Sequence, residues 1–226
     1  MPKITSVEPQ KKNPKRFNIF LDGEFAFGAD EDLIVSYRLI PGKVIQKEDL
    51  DKLIYEAEIG KLMERMYGLF SVRQRSEKEV RSYLKNLSFK RKLKEKEEIS
   101  DIIIDLLIER LKQKGLVNDL EFAKAWVEAR RKSKQKGVKA LKMELFQKGI
   151  EREIIEEVIS HQASVVSEEE LARQALEKKM KSWRNLSALE FKKKAYEFLM
   201  RKGFDYSVVK EVIELIRKQN GMQEAD

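Results

Sequence analysis

A pattern of seven apolar positions occurs twice in this chain at a fixed offset, and this repetition limits the fold more than any other feature. Each copy is centred on a glycine, Gly149 in one and Gly203 in the other. The first copy contains Leu141, Leu145, Ile150, Ile154, Ile155, Val158 and Ile159, and the second contains Ala195, Leu199, Phe204, Val208, Val209, Val212 and Ile213. Apolar residues spaced by three and four positions lie on one face of a helix. Glycine is the preferred residue for the left-handed conformation that ends a helix. The sequence therefore predicts two copies of one helix–turn–helix element.

The segment 116–158 adds a further helix in front of this element. Asn118 or Asp119 can accept hydrogen bonds from the first amides of that helix. The second helix is predicted to begin after Gly137, and the third at Glu151. The predicted apolar stripes of the three helices are Phe122, Ala123, Trp126 and Val127; Val138, Leu141, Leu145 and Phe146; and Ile154, Ile155, Val158 and Ile159.

A looser copy of the pattern precedes the other two. It consists of Val80, Leu84 and Phe89 around Ser88, then a charged insertion at 90–98, then Ile104 and Ile108. Serine–glutamate pairs of the capping-box type stand at Ser76 and Glu79, Ser167 and Glu170, and Ser187 and Glu190. We therefore expect a mainly α fold with three tandem three-helix repeats, at 47–113, 114–163 and 164–226. Such repeats complete each other's cores, and we expect an elongated, curved array.

Residues 1–46 differ in character from the repeats. Strands are predicted at 3–7, 16–21 and 24–27, and Asp22-Gly23 is a strong two-residue hairpin turn. Asp30 can cap a short helix after the last strand. We expect a small β-rich subdomain, with a β-hairpin, that folds apart from the repeats. A long helix should follow, either continuous or broken at Gly60.

Composition removes most catalytic classes. The 226 residues include no cysteine and one histidine, His161, so a thiolate or multi-histidine metal site cannot form. No glycine-rich phosphate loop is present. No apolar run is long enough to span a bilayer. We expect a cytoplasmic monomer without enzymatic activity, cofactor or membrane contact.

Two tryptophans could stack on nucleic-acid bases. Trp126 stands at helical spacing from Phe122 and Ala123, which favours a core position. The pattern around Trp183 leaves both interpretations open. The acidic clusters at 95–98 and 168–170 stand among lysines, which favours solvated helix faces over a Mg²⁺ or acid–base site.

The formal net charge of +8 favours an anionic partner. Basic residues concentrate where the first predicted helix of each repeat meets the second. The candidate partner-binding residues are Arg73 and Arg75; Arg130, Arg131, Lys134, Lys136 and Lys139; and Lys178, Lys179 and Lys181. The segment from Arg130 to Lys136 is interpreted as an exposed joint, so its charges should be reversible to glutamate without unfolding. These residues form either a contact surface or a set of solubilising charges.

Several motifs resemble the RecX family of regulatory proteins. They are Arg73-Gln-Arg75-Ser76-Glu-Lys-Glu79-Val80 with Tyr83-Leu84; Lys114-Gly-Leu-Val-Asn-Asp119 with Phe122-Ala123 and Trp126-Val127; Leu141, Glu144-Leu145 and Lys148-Gly-Ile150; and Leu199 with Arg201-Lys-Gly-Phe204. The resemblance covers about residues 60–217, and the middle block is the most specific. Asn118 stands where the family commonly has aspartate, and the insertion at 90–98 lengthens the first repeat.

The resemblance implies a curved protein of three three-helix repeats without enzymatic activity of its own. Such a protein would lie in the groove of the filament that the RecA recombinase forms on single-stranded DNA and would bridge RecA subunits. It would inhibit RecA ATPase, coprotease and strand-exchange activities. From the residues alone, the alternative is a helical-repeat protein that binds single- or double-stranded nucleic acid directly.

Overall fold

Three strands precede ten helices in the computed structural model, which describes residues 1–11, 13–163, 167–183 and 186–220. The strands are β1 (Ile4–Gln10), β2 (Asn13–Leu21) and β3 (Glu24–Asp30). The helices are α1 (Glu31–Tyr37), α2 (Lys47–Phe70), α3 (Glu77–Lys92), α4 (Asp101–Gln113), α5 (Asp119–Lys134), α6 (Val138–Gln147), α7 (Arg152–Ala163), α8 (Glu168–Met180), α9 (Ala188–Arg201) and α10 (Tyr206–Gln219). The chain divides into two compact units, Met1–Gln74 with Arg81–Val117, and Arg75–Val80 with Asn118–Asp226. The mainly helical fold with a small N-terminal sheet confirms the predicted fold class.

The N-terminal strands form an antiparallel sheet in the order β1-β2-β3. The predicted hairpin turn is present between β2 and β3, with positive φ angles of 49° at Asp22 and 92° at Gly23. Such angles fit the right-handed twist of the two strands. The predicted cap is also present, because Asp30 Oδ1 accepts a hydrogen bond of 2.9 Å from the amide of Leu33 in α1.

The core beneath the sheet also includes residues of α2. Leu53 and Ala57 of α2 are buried in the same cluster as the apolar residues of the sheet and of α1. The helix α2 continues through Gly60, where a Cβ atom would lie only 2.3 Å from Oδ2 of Asp30. Gly60 therefore allows the end of β3 to pack closely against α2, and it does not break the helix. Residues 1–46 thus share their core with α2, and the separate folding of the repeats stays a prediction.

In the first repeat, Ser88 was predicted to stand where the other copies have Gly149 and Gly203. The structure contradicts this prediction. Ser88 lies inside α3 and is buried, while Phe89 is 59% exposed. The Ser88 hydroxyl accepts a hydrogen bond of 2.9 Å from the amide of Ile99, which is buried. Ile99 therefore takes the place that Phe89 was predicted to hold, and the insertion lengthens α3 and its connection to α4.

The second and third repeats follow the predicted pattern closely. In both copies the residues of the pattern are buried, apart from the half-buried Ile154. Gly149 and Gly203 have φ angles of +81° and +88°, as predicted for residues that end a helix. Phe146 is an exception to the predicted stripe of α6, since it is 72% exposed.

Serine and asparagine caps begin several helices as predicted. The Asn118 side chain accepts from the amide of Glu121, and the Ser167 hydroxyl accepts from the amide of Glu170. A full capping box joins Ser187 and Glu190. These bonds satisfy amides that an α-helix cannot pair internally.

Within the second unit, a carboxylate at the start of one helix pairs with the first amide of another. Asp119, the first residue of α5, accepts a hydrogen bond of 2.9 Å from the amide of Glu77, the first residue of α3. Glu168, the first residue of α8, accepts a bond of 3.1 Å from the amide of Val138, the first residue of α6. The same junction is thus built twice, once at the start of the second repeat and once at the start of the third.

The lysine–glycine turn of each later repeat completes this junction. The Ser76 hydroxyl donates to the carbonyl oxygen of Lys148 at 2.7 Å, and the Gly137 amide donates to that of Lys202 at 3.0 Å. A Cβ atom on Gly137 would lie 2.4 Å from the carbonyl oxygen of Gly203. Glycine at position 137 therefore permits close contact between two backbones.

We predict that Gly137→Ala lowers the free energy of unfolding by about 1 to 3 kcal/mol, the usual cost of overpacking. The φ angle of −77° suits alanine, so only the contact with Gly203 opposes the change. Urea unfolding measured by circular dichroism tests this. Gly68→Ala in α2 is the matched control, because a Cβ atom there meets nothing within 4 Å. The control should gain about 0.4 to 1 kcal/mol, and equal effects at both positions would contradict the junction.

Candidate functional site

The basic segment after Trp126 is only partly available at the surface. Glu144 of α6 accepts hydrogen bonds from Trp126 Nε1 at 2.8 Å and from Arg130 Nε at 3.0 Å. Lys136 also bonds to the Glu144 carboxylate. Burial alone would raise the pKa of Glu144, but the bonds from Lys136 and Trp126 hold it below its ordinary value. Arg130 and Lys136 are therefore partly neutralised within the repeat.

Trp126 occupies a position between the core and this charged group. Its ring stacks on Phe122, with centroids 5.6 Å apart, and it packs against the core of the second repeat. The Arg130 guanidinium lies 4.2 Å from the ring centroid and the Lys148 ammonium 4.9 Å from it. The predicted core position is confirmed for one side of the ring, and cations cover another part through cation–π contacts.

Arg131 is buried, contrary to the prediction that it belongs to an exposed joint. The residue is 5% exposed, and its Nη2 donates to Glu168 Oε1 at 2.9 Å. Burial raises the pKa of Glu168, while the Val138 amide and the Arg131 charge act in the opposite direction. Arg131 thus stabilises the ionised form of Glu168, the carboxylate that accepts a hydrogen bond from the amide of Val138. Its burial and its bond to Glu168 give it a structural role.

Four lysines from different parts of the second unit come together; they are Lys134, Lys136, Lys178 and Lys202, and are called the lysine cluster below. Burial lowers the pKa of Lys202, and the charges of the other three lower it further. Its ammonium donates to the carbonyl oxygen of Lys134 and lies 5.2 Å from the centroid of the Phe198 ring. The structure thus joins predicted contact residues of the second and third repeats at one site.

The other candidate residues differ in their exposure and in their contacts. Lys139 pairs with Asp205 at 2.5 Å, and Lys179 and Lys181 are exposed near the end of α8. Arg73 is exposed, and its Nη1 donates to the carbonyl oxygen of Gln74 at 2.8 Å. Arg75 is half-buried at the start of the second unit.

Sequence reasoning missed Lys202 and the role of Glu168. Lys202 precedes Gly203 as Lys148 precedes Gly149, so the repeat alignment contains the signal for it. Glu168 was interpreted as a solvated residue because lysines surround it in the sequence. No local pattern reveals its bond to Val138, which lies 30 residues away.

Trp183 packs against the core of the third repeat. Its ring makes edge-to-face contacts with Phe191 and Phe198, each at 6.1 Å between centroids. Of the two interpretations left open by the sequence, the structure therefore supports core packing, with Phe198 linking Trp183 to Lys202.

Two other kinds of site are absent from the described residues. No group of three or more histidine, aspartate or glutamate side chains there could hold a metal ion. In the same ranges, no helix has the length and apolar character needed to cross a membrane.

Comparison with known proteins gives consistent results. The family models described as "Regulatory protein RecX N-terminal domain", "RecX, second three-helix domain" and "RecX, third three-helix domain" match residues 2–46, 118–159 and 167–213. "Regulatory protein RecX" of Bacillus subtilis (strain 168) is 37% identical over 223 residues, which are 97% of this chain and 79% of that protein. The protein of the same name from Listeria innocua is 32% identical over 99% of this chain and 80% of its own length.

Solved structures of similar fold are also known. A "Crystal structure of regulatory protein RecX" has a TM-score of 0.70 and 24% identity, and the match covers 95% of this chain and 100% of that chain. RecX from Lactobacillus salivarius has a TM-score of 0.58 at 24% identity, covering 71% of this chain and 97% of that chain. At this identity the likeness supports the fold alone.

We predict that Arg131→Met lowers the free energy of unfolding by about 3 to 5 kcal/mol, because Glu168 would keep a buried charge without its partner. Lys132→Met is the matched control, since it removes one positive charge from the exposed neighbouring residue. It should change stability by less than about 0.5 kcal/mol. Thermal and urea unfolding measure both effects, and equal small effects would contradict a structural role for Arg131.

The loss in Arg131→Met should also depend on pH. An acid whose pKa is raised by folding destabilises the folded state when it ionises, so stability falls as the pH rises through the folded-state pKa. Removing Arg131 raises the pKa of Glu168 further. The variant should therefore lose less stability at acidic pH, where Glu168 is protonated, than at neutral pH.

Proposed function

Because the chain belongs to the RecX family of regulatory proteins, we propose that it binds the filament of RecA on single-stranded DNA and inhibits the recombinase. Inhibition covers the ATPase, coprotease and strand-exchange activities. The chain acts in the cytoplasm as a monomer, by binding along the filament groove and bridging RecA subunits, without catalysis of its own. The observation that carries the proposal is family membership over nearly the whole chain.

The surface of the second unit supports binding to an anionic partner. Lys134, Lys178, Lys179 and Lys181 are exposed, and among the described residues none of them forms an ion pair. Exposed ion pairs contribute less than about 1 kcal/mol each, so such a contact depends on several residues together. Further proposed contacts are Arg73, Arg75, Arg130, Lys136 and Lys139. Arg131 is left out of the proposed contacts because it is buried.

The repeated junction is a second supporting feature. The carboxylate–amide bond and the lysine–glycine turn both occur twice within the second unit, so the chain contains the same structural element more than once. A polymer of identical subunits presents corresponding faces at regular intervals. Such a target suits a protein that is built from repeats.

We predict that the chain inhibits the ATPase of RecA on single-stranded DNA at substoichiometric levels. The variant Lys134→Glu, Lys178→Glu, Lys179→Glu, Lys181→Glu should fold and should lose most of this inhibition. Reversing the charges of Arg130, Arg131, Lys134 and Lys136 instead would place new carboxylates beside Glu144 and Glu168 and should destabilise the fold. The wild-type effect should weaken as salt rises, because salt screens exposed charges.

The matched control reverses four other exposed lysines of the same unit, Lys193, Lys194, Lys210 and Lys218. It has the same net charge, so equal loss in both variants would indicate a general charge effect. If the first variant inhibits RecA as well as the wild type does, the four tested lysines are not the contact. Tight binding to naked DNA without any effect on RecA would favour the alternative, a protein that acts on nucleic acid directly.

A further inference from the structure

The two edges of the N-terminal sheet are protected differently. Along β1, the start of the strand is covered, because the Ile4 amide donates to the carbonyl oxygen of Lys43 and the Gly42 amide donates to that of Ile4, both at 2.8 Å. Pro9 stands near the end of β1, where it lacks the amide that a further strand would need. Along β3, neither lysine nor proline occurs, and β2 is the only described strand that pairs with it. Such an edge is a ready template for another extended chain.

A cavity of about 630 Å³, a usual volume for a ligand pocket, lies beside β3 in the first unit. Residues of β3, of α2 and of the connection between α3 and α4 line it. Phe27 of the lining belongs to the buried face of the sheet, whereas the next residue, Gly28, faces the opposite side. A cavity that reaches both faces of a strand lies at the edge of that strand. Arg16 Nη2 donates to the carbonyl oxygen of Gly28 at 3.1 Å, so residues 24–27 are the part of β3 that remains for a further strand.

The cavity combines apolar side chains with a buried hydroxyl. Phe25 of β3 is 60% exposed and Ile54 of α2 is 41% exposed, so both are free to contact a ligand. The Tyr55 hydroxyl is buried and has no hydrogen-bond partner among the described residues. Such a group favours a ligand that bonds to it, because leaving it unpaired is unfavourable.

The chemistry of the edge and the cavity indicates the kind of ligand. The main-chain groups of a sheet edge are recognised by another extended chain, whereas nucleic acid is recognised through positive charge. Four basic and four acidic side chains line the cavity, so it has no net charge with which to attract a phosphate backbone. We propose that the edge of β3 and this cavity bind an extended segment of a partner protein, which adds a strand to the sheet and places apolar side chains against Phe25 and Ile54. This site goes beyond the proposed function, because it requires neither RecA nor DNA.

Strand addition can be tested with peptides. The probes are short fluorescent peptides in which valine, isoleucine, leucine or phenylalanine alternates with threonine, with a lysine at each end for solubility. Fluorescence anisotropy with the full chain should show binding of at least one of them with a dissociation constant below about 1 mM. Each peptide is also made with N-methyl groups on its odd or on its even residues. Alternate amides of a strand point to opposite edges, so one methylated form should lose binding and the other should keep it.

Substitutions at the cavity test the same contact. Phe25→Lys should weaken binding of the tightest peptide at least about tenfold, since it removes an apolar contact and places a charge on the edge. Ile40→Lys is the matched control and should bind as the wild type does, because Ile40 is also 60% exposed in the first unit but does not line the cavity. Tyr55→Phe keeps the ring and removes only the hydroxyl, so it should fold and should bind about two- to tenfold more weakly. Circular dichroism checks the folding of each variant.

The proposal is overturned if none of the peptides binds, if both methylated forms bind equally, or if Phe25→Lys and Ile40→Lys bind alike. A steep fall in peptide binding with rising salt would also overturn it, because it would indicate recognition by charge. So would a dimer in sedimentation that Phe25→Lys abolishes, since a second copy would then occupy the edge. All of these measurements use this chain without RecA or DNA, so the proposed inhibition of RecA is judged separately by the ATPase assay.

Discussion

The second unit depends on the pairing of a helix's first amide with a carboxylate from the next repeat. The first amides of an α-helix have no partner within the helix, and burial without a partner destabilises the fold. Asp119 and Glu168 supply that partner to Glu77 and Val138. Both carboxylates also stand at the first position of their own helices, where the helix dipole favours negative charge. One residue thus stabilises two helix ends and joins two repeats.

The lysine–glycine turns show why this junction requires particular residues. Gly203 combines a left-handed backbone conformation with close contact, since a Cβ atom there would lie 2.3 Å from the amide nitrogen of Ala140. At Gly149 a Cβ atom would lie 2.6 Å from side-chain atoms of Lys78. These glycines therefore end a helix and also admit a neighbouring chain segment. Both the helix end and the close contact require glycine, which explains why glycine occurs at the same position of the two copies.

Periodicity in the sequence predicted the helices of the second and third repeats because their burial follows local spacing. The same reasoning misplaced Ser88, since a helix extended by an insertion keeps the periodicity of the shorter helix. Ser88 and Ile99 are joined through a hydrogen bond across the insertion, and spacing alone does not indicate such a bond. Likewise, Leu53 and Ala57 fit a helix stripe of a repeat, but nothing in their spacing shows that they pack on the sheet.

Charge was harder to predict than burial, because pairing between distant residues decides which charges reach the surface. The segment 130–148 contains eight basic residues and one acidic residue, which predicts an exposed basic joint. In the structure, Glu144 binds Arg130 and Lys136, and the distant Glu168 binds Arg131. The lysine cluster contains lysines from separate helices, and Lys202 belongs to the lysine–glycine turn. Within the second unit, the junction between repeats thus sets both the core and the distribution of exposed positive charge, so the basic surface depends on the assembled repeats rather than on any one basic segment.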